Sequence, residues 1–180
     1  MQFGNLIQDD QGLQVKGVVH YDNHRLFRFL NVIHAPRDIM PEWIGQNVRL
    51  ALQTSESFTP IDGGSVDGDA LIAMKAASNE RRLAFWDDIT ASYGYKSRDV
   101  AWKKYDLIFG SWYFDLTNEI TLKSSKSSRG GAHSAWPTNR NEGRVFSVPI
   151  DAPDKDIGET VLEAFAKCEG SGKSTEPLFP

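Results

Sequence analysis

Apolar side chains alternate with polar ones over several stretches of the chain, which is the pattern of β-strands that bury one face. In the stretch 13–21, Leu13, Val15 and Val19 fall on the same face. The stretch 25–33 is more continuously apolar, which is typical of a more buried strand. On this basis the sequence predicts five strands, at 13–21, 25–33, 105–116, 118–123 and 144–150.

Other stretches repeat their apolar residues every three to four positions, which predicts amphipathic helices. In the stretch 43–53, Ile44, Val48, Ala51 and Leu52 share one face. The predicted helices are 43–53, 78–94, 97–105 and 154–168.

Capping residues set the expected ends of the two middle helices. Ser78 and Ser97 are suitable N-caps, and Gly94 is a suitable helix stop because glycine readily adopts the left-handed backbone conformation. Between the regular elements, residues 59–69 predict an acidic loop with several glycines. Residues 124–143 predict a long polar loop, which we expect to be mobile.

Strands and helices are mixed without strict alternation, which indicates an α+β fold with a largely antiparallel sheet and helices packed on it. The length of 180 residues favours a single domain. We place this domain at 1–169 and expect 170–180 to form a flexible tail, because the tail has no periodicity. The tail contains the letters GSGKST of a phosphate-binding loop, but the strand, the first glycine and the following helix of such a loop are missing from the pattern.

Two strand–loop–helix segments resemble each other. Residues 32–56 align without a gap to residues 145–169, and 8 of the 25 aligned positions are identical. The identical pairs include Gly45 and Gly158, each in the first turns of a predicted helix, where glycine costs about 1 kcal/mol relative to alanine. This pattern suggests an internal repeat and a close backbone approach at both glycines, although two such units can also look alike by chance.

Composition narrows the classes of function. The chain has one cysteine, which excludes an intrachain disulfide and fits a reducing compartment. No apolar run of about 18 residues predicts a membrane span, and we expect no secretion signal. The net charge of −4 does not suggest a nucleic-acid-binding protein, whose surface is usually basic, and suits a basic partner.

The sequence contains no convincing catalytic or metal-binding pattern. His20 and His24 have the spacing of zinc ligands on a helix, but they fall at a predicted strand end and turn, where we expect surface residues. We interpret Cys168, His34 and His133 as structural. The alternative is a small metal-dependent hydrolase or nuclease that uses the region of His20 and His24.

Carboxylates recur without a catalytic arrangement. They are either a solvated acidic surface or a patch for a basic partner. We select the following residues as candidate partner contacts: Asp62, Asp67 and Asp69 in the acidic loop, and Asp87 and Asp88 on a predicted helix. A third possible function is nucleic-acid binding, in which the five tryptophans would stack on the bases. Core or interface positions suit most of them better, because no basic stripe accompanies them.

The second half of the chain resembles the contact-dependent growth inhibition (CDI) immunity proteins. The resemblance is carried by YGYKSRDVAWKKY at 93–105 and by SVPIDAPDKDIGETVLEAFAKCE at 147–169. It covers residues 86–169 and, more loosely, 32–56.

This resemblance implies inhibition by binding and not catalysis. It implies a protein of the bacterial cytoplasm that neutralises the C-terminal toxin domain of its own effector, often a nuclease. The implied partner is that toxin domain in a one-to-one complex, with no cofactor, no membrane and no direct nucleic-acid contact. No catalytic residue carries over, and toxin contacts differ from pair to pair.

We predict that His20→Ala and His24→Ala leave toxin neutralisation unchanged, because we expect both to be surface turn residues without a metal or acid/base role. Protection of toxin-expressing cells and the metal content of the purified protein are the measurements. Stoichiometric zinc that disappears from the double variant would support the hydrolase alternative.

Overall fold

The computed structural model describes residues 2–9, 12–19, 28–36, 39–53, 68–102, 105–113, 116–127 and 133–169. Its strands are β1 (Gln2–Asp9), β2 (Gly12–Val19), β3 (Arg28–Pro36), β4 (Tyr105–Trp112), β5 (Glu119–Ser127), β6 (His133–Ala135) and β7 (Val145–Pro149). Its helices are α1 (Pro41–Gln53), α2 (Gly68–Ser92), α3 (Arg98–Trp102) and α4 (Asp154–Ala166), with a short 3-10 turn at Thr138–Arg140.

The seven described strands form one antiparallel sheet in the order β3-β2-β1-β4-β5-β6. β5 pairs with β7 through residues 119–123 and with β6 through residues 125–127, so these two short strands follow one another along β5. The predicted α+β class with a largely antiparallel sheet is therefore confirmed.

The sequence patterns missed β1, which lies in the middle of the sheet between β2 and β4. Leu6 is opposite Val15 on one side and Ile108 on the other. The strand QFGNLIQD has no regular alternation, since Gly4 and Asn5 interrupt it. Its conformation depends on hydrogen bonds from two neighbouring strands, and one of these comes from a segment about one hundred residues away.

Helix α2 begins ten residues before the predicted cap. Ser78 lies inside the helix, so its assignment as the N-cap was wrong. The other end is as predicted: Gly94 follows the helix with φ of +67°, and the amide of Tyr95 donates to the carbonyl of Thr90 at 3.1 Å. Ser97 also caps α3, because its hydroxyl accepts from the amide of Val100 at 3.4 Å.

The predicted polar loop at 124–143 contains regular structure. β5 continues to Ser127, β6 occupies 133–135, and a 3-10 turn follows at 138–140. The short strand β6 is stabilised by pairing with β5, which its own polar sequence did not indicate.

The two faces of the sheet carry separate cores. On β4, Ile108 belongs to the first core and Leu107 to the second, since successive strand residues point to opposite faces. Helices α1 and α4 cover the first core, and α2 and α3 cover the second. The buried residues of the second core are Phe85, Trp86, Ile89, Ala101 and Leu107. Those of the first are Ile44, Val48, Ala51, Leu52, Ile108, Ile120, Leu122, Val148, Ile150, Ile157, Val161, Ala164, Phe165 and Cys168.

Helices α1 and α4 approach each other through their glycines. A Cβ atom on Gly45 would lie 1.8 Å from the carbonyl oxygen of Asp154, the first residue of α4. A Cβ atom on Gly158 would lie 1.9 Å from the carbonyl oxygen of Pro41, the first residue of α1. Each helix therefore places its glycine against the first turn of the other, as the close approach inferred from the sequence requires. A common origin of the two units stays a hypothesis.

Arg49 ties α1 to the start of α4 beside this contact. Its Nε donates to the carbonyl of Ile150 at 2.8 Å, and another guanidinium nitrogen donates to the carbonyl of Ala152. The guanidinium also pairs with the carboxylate of Asp154 at 2.6 Å. Because Arg49 is only partly exposed, these three contacts hold the loop before α4 against α1.

We predict that Gly45→Ala and Gly158→Ala each lower the free energy of unfolding by about 1–3 kcal/mol, the usual cost of overpacking. Alanine in an ordinary helix position would instead stabilise by about 1 kcal/mol. The double variant should cost less than the sum, because one separation of the helices relieves both clashes.

Urea denaturation measures these values, with Gly94→Asn as the control. Gly94 has no atom within 4 Å of an added Cβ, and asparagine tolerates its left-handed backbone. Unchanged stability of both alanine variants would contradict the close contact.

Candidate functional site

The predicted contact aspartates that the structure describes all belong to helix α2. Asp69 lies in the first turn of α2 and not in the predicted loop, because the helix begins at Gly68, and Asp87 and Asp88 lie near its end. All three are exposed, but 18 residues of helix place Asp69 about 27 Å from Asp87 along the axis. Asp62 and Asp67 fall outside the described residues. The structure therefore separates the described aspartates into two places on one helix.

Asp87 binds Arg98 at the start of α3. The carboxylate accepts from both Nε and a terminal nitrogen of the guanidinium, in the two-pronged geometry typical of arginine–carboxylate pairs. The hydrogen bonds from Arg98 to this carboxylate raise the pKa of the guanidinium further. Both side chains are about half exposed, so the pair links α2 to α3 and leaves little free negative charge at Asp87.

Asp88 binds His34 on β3. The Nε2 atom of His34 donates to the carboxylate at 2.7 Å, and its Nδ1 atom is 2.8 Å from the hydroxyl of Tyr93. The rings of Phe85 and Tyr93 meet the imidazole edge-on at 6.2 and 5.3 Å between centroids. The hydrogen bond from His34 lowers the pKa of Asp88 below its ordinary value, with a smaller contribution from the positive charge of the ring.

This histidine–carboxylate pair connects an edge strand to the helix that crosses beneath the sheet. In a general base, the second ring nitrogen must be free to face a substrate proton. Here the hydroxyl of Tyr93 occupies that nitrogen, and the aromatic side chains of the second core lie beside the ring. The geometry supports the structural interpretation of His34. Sequence gave no signal of this pair, because its two members are 54 residues apart.

The other cysteine and histidine candidates that the structure describes are held by contacts within the fold. Cys168 is buried, and its thiol donates to the carbonyl of Leu107 at 3.2 Å. The Nδ1 atom of His133 is 2.9 Å from the hydroxyl of Ser125, which is buried in the sheet. His20 and His24 lie outside the described residues. In the described part of the chain, no three His, Cys, Asp or Glu side chains are grouped so that they could hold a metal ion.

The tryptophans differ in their surroundings. Trp86 is buried in the second core, and Trp43 and Trp112 are half-buried against the first. Trp136 lies outside both cores and has the guanidinium carbon of Arg144 at 4.2 Å from its ring centroid. Among the described residues, no helix is long and apolar enough to cross a membrane.

Comparison with known proteins identifies a family and solved structures of similar fold. The family model for CDI immunity proteins matches residues 15–168. The fold is similar to that of a Yersinia pseudotuberculosis CdiA-CT/CdiI toxin and immunity complex, with a TM-score of 0.73, 14% identity and coverage of 93% of this chain and 97% of the other. It is also similar to a Neisseria meningitidis protein of unknown function, with a TM-score of 0.69, 16% identity and coverage of 93% and 95%. No curated protein matches the sequence.

We predict that Asp88→Asn destabilises the protein at neutral pH and flattens its acid denaturation curve. A carboxyl whose pKa is lower in the folded chain stabilises the fold above its unfolded pKa, which is about 3.9. This contribution disappears as the pH falls through the still lower folded pKa. Urea denaturation at pH 7 and at several values below 5 measures both effects.

Glu80→Gln is the matched control for this substitution, since Glu80 is an exposed carboxylate on the same helix. Identical acid dependence of the Asp88 variant and the wild type would show that the contact with His34 contributes nothing to stability.

Proposed function

The chain belongs to the CDI immunity protein family, and from this premise we propose that it binds and neutralises the C-terminal toxin domain of one cognate CDI effector. The family match over 154 residues, 15–168, is the observation that carries the proposal. It extends from β2 to the end of α4 and so includes both cores. The toxin–immunity complex among the proteins of similar fold supports a protein partner.

Neutralisation by binding needs a surface and no reactive group. A standard protein interface covers about 800 Å² on each partner. The chain exposes 10613 Å² in total, so one face is enough for the toxin domain and the rest of the fold can stay unchanged. We propose a one-to-one complex formed in the bacterial cytoplasm, where the immunity protein meets the delivered toxin.

The charge of the chain supports a nuclease as the toxin. A nuclease needs a basic groove for its polyanionic substrate, and the immunity protein has a net charge of −4. An acidic inhibitor both speeds encounter with such a groove and competes with the nucleic acid for it.

Within this proposal, Asp69 and its sequence neighbours Asp62 and Asp67 are the first residues that we propose as contacts with the toxin domain. Asp69 is exposed at the first turn of α2. Asp87 and Asp88 are also proposed contacts, and they bind Arg98 and His34. Replacing either of these two would disturb the fold locally as well as any interface.

The function is tested by co-expression and by direct binding. Cells that express the toxin domain encoded beside this protein should survive when the chain is present, and a toxin from an unrelated effector should still kill them. The purified partners should form a tight complex with one copy of each. Lack of protection against the neighbouring toxin would refute the proposal.

We predict that replacing Asp62, Asp67 and Asp69 with asparagine slows association with the toxin domain by about tenfold at low salt, within the range of electrostatic steering. The triple variant should also respond less to added salt, because exposed charges are screened beyond about 8 Å at physiological ionic strength. Stopped-flow or surface-based kinetics measure both.

The control variant removes three exposed carboxylates elsewhere, through Glu42→Gln, Asp156→Asn and Glu163→Gln. This control has the same net charge as the triple variant. A difference in association rate between the two variants therefore depends on the position of the removed charges and not on the total charge. Equal association rates for the triple variant and the wild type would show that these three aspartates do not contribute to the interface, and would leave the proposed immunity function unaffected.

A further inference from the structure

One short part of this acidic chain is strongly basic. Residues 123–144 contain five of the 20 Lys and Arg residues and only one of the 24 Asp and Glu residues, a net charge of +4. The rest of the chain therefore has 15 basic and 23 acidic residues, a net charge of −8. This basic segment is the region that the sequence predicted to be a polar loop.

The fold gathers three side chains of the segment at the place where β5 exchanges one partner strand for another. Trp136 follows β6, Arg144 precedes β7, and Lys126 belongs to β5. The ammonium of Lys126 is 5.2 Å from the centroid of the Trp136 ring, and the guanidinium carbon of Arg144 is 4.2 Å from it. Arg140 is exposed on the 3-10 turn between Trp136 and Arg144. We call Lys126, Trp136, Arg140 and Arg144 the basic patch.

The positive charges of the basic patch are only partly balanced by hydrogen-bond acceptors and carboxylates of the described residues. Arg144 donates to the carbonyls of Arg140 and Glu142 at 3.5 and 3.4 Å and to the carboxylate of Glu169 at 3.2 Å. Charge-assisted hydrogen bonds are normally about 2.7–2.9 Å long. Within the described residues, no carboxylate lies within 4.0 Å of the charged groups of Lys126 or Arg140. The patch therefore has more positive charge than its single acidic neighbour can balance.

Two N–H groups of the patch have no acceptor among the described residues. The Nε1 of Trp136 and the Nε of Arg144 are buried and form no hydrogen bond there. An unsatisfied buried donor destabilises the free protein, and an acceptor supplied by a partner removes that cost. The side chains of both residues are half-buried, so both also contribute to the surface of the basic patch. Aromatic and arginine side chains in such a setting are the usual centres of protein interfaces.

We infer that the basic patch is a docking surface for an acidic segment of the toxin domain, whose carboxylates accept hydrogen bonds from Trp136 and Arg144 and pair with Lys126 and Arg140. This inference rests on the proposed function. Complementary charge identifies the occupant as acidic. A protein segment fits better than a nucleic acid, because the remaining net charge of −8 repels a long polyanion and tolerates a short acidic stretch. The patch and the contact of α2 with β3 lie at opposite edges of the sheet, so the two charged surfaces can be tested separately.

The test measures the affinity of the full chain for its toxin domain by calorimetry. The double variant Lys126→Gln, Arg140→Gln removes two charges whose side chains make no hydrogen bond in the described structure, and we expect it to bind about tenfold more weakly. Trp136→Phe keeps the ring and removes the N–H group, and we expect about a threefold loss. The control Lys96→Gln, Lys155→Gln removes two exposed charges outside the patch and should bind within twofold of the wild type.

The outcomes separate the inference from the proposed function. If the wild type binds and the double variant binds within twofold of it, the basic patch is not a toxin contact and only this inference fails. If the wild type does not bind the toxin domain, the proposed function fails as well. The wild type is also titrated with a single-stranded RNA oligonucleotide without toxin. Binding that the double variant loses would assign the patch to phosphate groups and overturn the protein segment as its occupant.

Discussion

The direct contact between the backbones of α1 and α4 is the constraint on which the rest of the structure depends. Gly45 and Gly158 each lie against the first turn of the opposite helix, where a single Cβ would overlap a carbonyl oxygen. This approach lets Ile44 and Ile157, the residues just before the glycines, be fully buried together. Burying a side chain of this size contributes about 1.5–3 kcal/mol, which exceeds the cost of a glycine in a helix.

The contact also determines how the sheet is covered. Strand β3 lies at one edge of the sheet and β7 pairs with β5 at the other, and each leads into one of the two helices. When these helices meet over the sheet, they span one face from both edges and enclose the first core. Arg49 secures the loop before α4 in the same place. The opposite face is then available for α2 and α3, which are joined by the pair of Asp87 and Arg98.

The distribution of charge follows from this arrangement. Asp69, Asp87 and Asp88 lie on α2, which contacts the β3 edge and also carries Arg81 and Arg82, whereas Lys126, Arg140 and Arg144 lie at the opposite edge. A molecule with separated charges selects an orientation of its partner before contact, and it repels partners whose charges are reversed.

The sequence by itself determined the features that depend on neighbours within a few positions. The periodicity of 43–53 and 154–168 predicted α1 and α4, Gly94 predicted the end of α2, and Ser97 predicted the cap of α3. The paired glycines further indicated a close backbone approach, although not that the two helices approach each other. The resemblance to the CDI immunity family also came from local packing patterns, and the family match confirms it.

Only the tertiary structure decided the features whose partners are distant in the chain. β1 and β6 lack periodicity and are held by hydrogen bonds from other strands. His34 meets Asp88 across 54 positions, and Arg144 reaches Glu169 across 25. Asp87 and Asp88 therefore bind Arg98 and His34, and part of the predicted polar loop forms β6 and a 3-10 turn. The physical reason is that the periodicity of a segment shows only which of its faces is buried. The pairing of two side chains depends on how the sheet brings together elements that are far apart in the sequence.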